Sequence, residues 1–123
     1  MKFFTKTIVL VLLGMNIAHA GLVGIKTTIT ASWYGKWHHG KLMANGKPFD
    51  MHNPALAAHK TLPLGTLLLV RNASNGKALV AVVTDRGPYK EGRSLDISYA
   101  GAKYLGFADQ GLAKLEIQVL KHA

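Results

Sequence analysis

Alternation of apolar and polar positions is clearest near the end of the chain. Over Leu112–Leu120 (LAKLEIQVL), Leu115, Ile117 and Val119 point one way and Lys114, Glu116 and Gln118 the other, the period of a half-buried antiparallel strand. Lys26–Tyr34 (KTTITASWY) is rich in Thr, Ile and aromatic residues, which suit a pleated surface, and reads as a first strand. Thr66–Asn72 (TLLLVRN) is a continuous apolar run, which predicts a strand buried on both faces. Lys77–Thr84 (KALVAVVT) is its partner, reached through Ala73-Ser74-Asn75-Gly76. An Asn-Gly pair between two such runs predicts a hairpin with a type I′ turn, because both residues tolerate positive φ.

The remaining pattern is shorter. Leu95-Asp96-Ile97 reads as a very short strand, and Ser98 as the cap of a helix running through Ala100, Lys103 and Leu105 to a stop at Gly106. Lys36–Asp50 (KWHHGKLMANGKPFD) carries turn signals at Gly40, Asn45-Gly46 and Pro48, so it is a long loop of the kind that often meets ligands. Five strands are read directly, and the sum is a mainly β domain of about six strands with one short helix. No cysteine is present, so the fold rests on packing and backbone pairing. A small closed barrel, which leaves no strand edge exposed, meets that demand better than an open sheet.

The first twenty residues follow a different rule. Lys2 and Lys6 precede an almost wholly apolar run, Thr7–Ile17, and Ala18-His19-Ala20 ends it with small residues, the pattern of a signal peptide. The run is too short for the roughly twenty residues that a bilayer-spanning helix needs. Cleavage after Ala20 is expected, giving a single domain over 21–123 with no stable membrane anchor, in the periplasm or secreted. Without Lys2 and Lys6, 13 Lys and Arg face 6 Asp and Glu, a formal charge of +7. Outside the cytoplasm such a surface meets cell-wall polymers and anionic headgroups rather than nucleic acid, and the basic residues are scattered rather than clustered.

Candidate chemistry concentrates in Val82–Ser98 (VVTDRGPYKEGRSLDIS), where turn residues between Asp85 and Asp96 can fold two carboxylates onto one surface. The bland alternative is that Arg86 and Arg93 neutralise them at a tight turn. Trp33, Tyr34 and Trp37 crowd one stretch and offer faces for stacking on sugar rings, or plugs for the end of the core. His38, His39, His52 and His59 do not form a ligand pattern with a nearby carboxylate, so neither a metal nor a cofactor is expected. His59, between small residues and Pro63, is held firmly enough for either a site or a structural role.

With these residues in view, the chain resembles the RlpA-like (rare lipoprotein A) family of double-psi β-barrels. The resemblance rests on Ala31-Ser32-Trp33-Tyr34-Gly35, Ala44-Asn45-Gly46, Ala57-Ala58-His59-Lys60-Thr61-Leu62-Pro63, Asp85-Arg86-Gly87-Pro88, and Gly92-Arg93 through Asp96-Ile97-Ser98, in the family's order. It implies a six-stranded double-psi barrel acting as a monomer on peptidoglycan glycan strands, cleaving those stripped of stem peptides by the lytic transglycosylase route. It implies Asp85 and His59 as catalytic positions, with Asp96 in support, as in the related aspartate pair of expansin barrels. Trp33, Tyr34, Lys47 and Arg86 are the expected substrate-binding residues. The family's glutamate after Ala-Asn-Gly is Lys47 here, and a lysine cannot serve as a carboxyl acid and base. The chain therefore either cleaves through Asp85 with Asp96, or acts as a non-catalytic glycan-binding or wall-loosening module.

Overall fold

The computed structural model describes residues 23–123, so the predicted signal peptide lies outside the described residues. Among them the elements are β1 (Lys26–Tyr34), β2 (Leu56–His59), β3 (Leu67–Arg71), β4 (Ala78–Asp85), β5 (Leu95–Ser98), α1 (Tyr99–Leu105) and β6 (Leu112–Lys121). The strands close into a barrel in the order β1-β5-β2-β4-β3-β6. The pairs β1–β5 and β2–β4 are parallel and the other four antiparallel. A closed, mainly β barrel with one short helix is thus as expected, and the residue pattern had named five of its six strands.

Inward-facing residues of every strand meet inside. Ala31, Ala57, Leu68, Val70, Ala81, Val83, Leu95, Ile97 and Leu115 are buried there, and Ala102 and Leu105 of α1 join them with Phe107. The final strand alternates as expected, with Leu115 and Val119 buried. β3 differs from expectation: Leu68 and Val70 are buried, but Leu67 and Leu69 only half so. A barrel wall has one core face, and little packs over the outside of β3.

The β3–β4 hairpin forms, but not through a type I′ turn. Gly76 has φ of 77°, whereas no non-glycine residue among those described has positive φ. Asn72 closes the loop instead. Its carbonyl accepts from Gly76 N–H at 2.8 Å and its N–H donates to Lys77 O at 2.8 Å, while its side chain accepts from Ser74 N–H and donates to Leu105 O. α1 obeys the sequence: Ser98 Oγ accepts from Gly101 N–H, and Gly106, at φ 86°, ends the helix. β2 was not legible beforehand. Its four residues, LAAH, become a strand because they lie between β4 and β5, which supply backbone partners on both edges.

Candidate active site

Strand register sets four side chains in a row. Ser32 of β1 pairs with Asp96 of β5, Asp96 with Ala58 of β2, and Ala58 with Asp85 of β4. Ala31, Ala57, Leu95 and Ile97, the alternating neighbours, point into the barrel core, so Ser32, Ala58 and Asp96 face the outside of the wall. Asp85 would not share that face in a regular strand, because Val83, two residues earlier, points into the core. A bulge corrects this. Ala57 pairs with Val83 but Ala58 with Asp85, leaving Thr84 as the extra residue, and a one-residue slip turns the next side chain to the other face. The two carboxylates then stand two strand spacings apart, roughly 10 Å at the backbone, with only the methyl of Ala58 between them.

This row floors an open cleft of about 870 Å³. One wall is the long loop. Its inner turn is closed by Met43 N–H to Lys47 O and by Phe49 N–H to Lys41 O, both 2.8 Å, and Phe49 and Met43 are buried beneath it. The loop is tied to the chemistry directly, since Ala44 N–H donates to Asp85 Oδ1 at 2.9 Å and Asn45 N–H to Thr84 O at 3.1 Å. The other wall is the segment after Asp85. Arg86 N–H also donates to Asp85 Oδ1 at 2.9 Å. The Arg86 guanidinium does not neutralise an aspartate; its Nη1 donates to the carbonyls of His59 and Leu62, at 3.1 and 2.6 Å.

The two aspartates sit in unlike surroundings. Asp85 accepts from two backbone amides. Asp96 accepts from Ser32 Oγ, and burial holds its carboxyl above the ordinary aspartate range, against the opposing pull of the Ser32 hydrogen bond, Arg93, His38 and Lys90. Separation of environment is how one fold assigns different work to two carboxyls.

The aromatic residues divide by geometry. Trp33 lines the cleft but donates its Nε1 to Ala108 O at 2.9 Å and packs on Tyr99, 5.0 Å between ring centres. Tyr34 lines the cleft too, yet it is only 7% exposed, with its ring stacked on Phe49 at 4.1 Å. Its ring therefore presents no open face to a sugar. Trp37, 79% exposed, and Tyr89, 85% exposed, are the aromatics that do, one on each wall.

Comparison with known proteins is decisive on family. The profile described as "Lytic transglycolase" matches residues 26–117. The chain belongs to the lytic transglycolase family. It is 48% identical over 90 residues to the endolytic peptidoglycan transglycosylase RlpA of Vibrio cholerae, covering 73% of this chain and 34% of that protein. It is 50% identical over 91 residues to the probable endolytic peptidoglycan transglycosylase RlpA of Aquifex aeolicus, covering 74% and 40%. The chain thus spans a third to two fifths of the length of these relatives. Among solved structures, the Streptomyces papain inhibitor superposes with a TM-score of 0.65 at 23% identity over 80% of this chain and 97% of that one. A mutant Clavibacter michiganensis expansin in complex with cellohexaose superposes at 0.61 and 17%, over 79% and 51%. Both share the fold.

Within this lytic transglycolase domain, Asp85, Asp96, Trp33, Tyr34 and Arg86 come together in the cleft, whereas His59 and Lys47 are not among its lining residues. His59 follows Ala58 on β2 and so points away from the row, and its Nδ1 accepts from Thr61 and Leu62 N–H at 3.1 and 3.0 Å. Lys47 is exposed at the tip of the loop that Ala44 pins to Asp85. Residue reading passed over Tyr89, Lys90 and Lys36, all in the cleft. The nearness of Tyr89 and Lys90 to the aspartates in sequence was visible and that of Lys36 was not, since the two walls of the cleft depend on how two loops fold toward each other.

Proposed function

We propose that this lytic transglycolase domain acts outside the cytoplasm on peptidoglycan, cleaving glycan strands by transglycosylation and leaving 1,6-anhydro ends. The observation that carries it is the convergence of Asp85 and Asp96 on one face, brought about by the Thr84 bulge, at the floor of an open cleft. The activity for which relatives near half identity are named supports the same reading.

In this reading Asp85 works as acid and then base. Its protonated carboxyl gives a proton to the glycosidic oxygen as the bond from C1 to that oxygen breaks. The 6-hydroxyl oxygen of the same sugar bonds to C1, and its proton returns to Asp85, so no water is consumed. Asp96, held by Ser32, supports in its ionised form the positive charge that develops at C1. His59 acts as a positioning residue: its carbonyl and that of Leu62 receive Arg86, whose amide holds Asp85. Trp37 and Tyr89 seat sugars on either side of the carboxylates. Lys36, Lys90 and Arg93 outnumber the two acids in the cleft and favour a strand that carries carboxylates, such as the lactyl groups of the wall polymer.

The test is incubation of the purified protein with peptide-stripped glycan strands, followed by mass spectrometry for 1,6-anhydro ends. Asp85→Asn is expected to lower their rate of appearance by about 10² to 10⁴. Binding without product over long incubation would replace this reading with that of a glycan-binding module, to which Lys47 gives its best support. Lys47→Glu is expected to raise product formation tenfold or more, on the order of a restored acid or base, because its loop is anchored on Asp85.

A further inference from the structure

Polar groups around the cleft are mostly committed to the protein itself. Ser32 Oγ donates to Asp96, Trp33 Nε1 to Ala108 O, and Arg86 Nη1 to the carbonyls of His59 and Leu62. Tyr34 is the exception. Its side chain is more than nine-tenths buried and lines the cleft, and its hydroxyl has no hydrogen-bond partner. Leaving such a group unsatisfied is costly, and folded proteins rarely do so without a reason.

Its location supplies one. Tyr34 pairs with Ser98 just past the Ser32–Asp96 step of the β1–β5 ladder, on the outward face that carries Ser32 and Asp96. Phe49, stacked on one side, and His38, edge-on with ring centres at 5.5 Å, fix the ring. Burial, with the fields of Asp85 and Asp96 added, pushes the phenol well above the ordinary tyrosine range, so at any physiological pH it is a neutral O–H donor. A sugar lying on this floor brings hydroxyls that the carboxylates accept, but its ring oxygen, glycosidic oxygen and carbonyl oxygens need donors.

We propose that the Tyr34 hydroxyl donates a hydrogen bond to an acceptor oxygen of the sugar seated over Asp85 and Asp96. The assignment rests on the glycan reading above and deepens it. Tyr34 contributes through its hydroxyl tip, a single directed contact, and not through a stacked face.

Tyr34→Phe keeps the ring and its packing on Phe49 and removes only the hydroxyl. It is to be made both in the native protein and on the Asp85→Asn background, where binding of peptide-stripped glycan oligosaccharides can be titrated without turnover. The expected result is an unchanged or raised Tm together with a roughly tenfold loss of glycan affinity, and product formation reduced at least as much in the native background. Equal affinity of the Asp85→Asn protein with and without Tyr34→Phe would overturn the proposal. So would a Tm lowered by several degrees along with the affinity, since the hydroxyl would then be structural. Absence of anhydro ends from the native protein would defeat the cleavage reading, while the affinity comparison would still decide the fate of Tyr34.

Discussion

The two sides of the barrel solve opposite problems. On the side where β3 meets β4, the asparagines of the hairpin loop are used internally: Asn72 and Asn75 both donate to Leu105 O, and Gly106 N–H closes α1 onto Ala102 and Lys103. On the outward face of β1, β5, β2 and β4, a half-buried aspartate, a buried serine and a buried tyrosine hydroxyl lie together, and small Ala58 leaves room above them. The first side is built for stability. The second keeps polar groups where water is scarce, a cost that a fold sustains only when the rest holds it in place.

The largest effect expected from that contrast is on stability. Phe107→Ala empties a fully buried site on the core side and should cost about 3–5 kcal/mol in urea unfolding, while Asp85→Asn should leave the unfolding midpoint nearly unchanged. Comparable losses from the two would erase the division. The next is confined to binding. Trp37→Ala and Tyr89→Ala should each weaken glycan binding by about 0.5–1.5 kcal/mol, the scale of a ring contact, with no shift in Tm because both side chains are exposed; calorimetric titration separates the two quantities.

The smallest is a slope with pH. Burial raises the Asp96 carboxyl above its unfolded value, so the folded protein holds a proton that the unfolded chain releases. Its share of stability is therefore greatest at or below the unfolded aspartate value of about 3.9 and declines as pH rises through the folded value. Asp96→Asn removes that decline. Its stability relative to the native protein should improve between about pH 4 and neutrality in paired denaturant titrations, and a difference independent of pH would show that the cleft does not strain Asp96.

Much of this molecule follows from local pattern. The alternation of Leu115, Ile117 and Val119, the Asn-Gly signal of the hairpin, and the caps Ser98 and Gly106 each describe interactions within a few residues of themselves. All reappear in the fold, with the hairpin using Asn72 as its clasp. Asp85 and Asp96 were visible as a pair because the turn residues between them can fold the chain back on itself. Other features were set by partners distant along the chain. LAAH has little strand preference and becomes β2 only between β4 and β5. The slip at Thr84, which turns Asp85 onto the face of Asp96, exists only as a mismatch between two strands. Tyr34, read as a stacking surface, is covered by Phe49 from the far end of the long loop, and His59 turns from the cleft because Ala58, its neighbour on β2, takes the cleft-facing place. Local sequence specifies periodicity and turns; which face a side chain takes, and whether its polar tip finds a partner, is decided by register between strands that lie far apart along the chain.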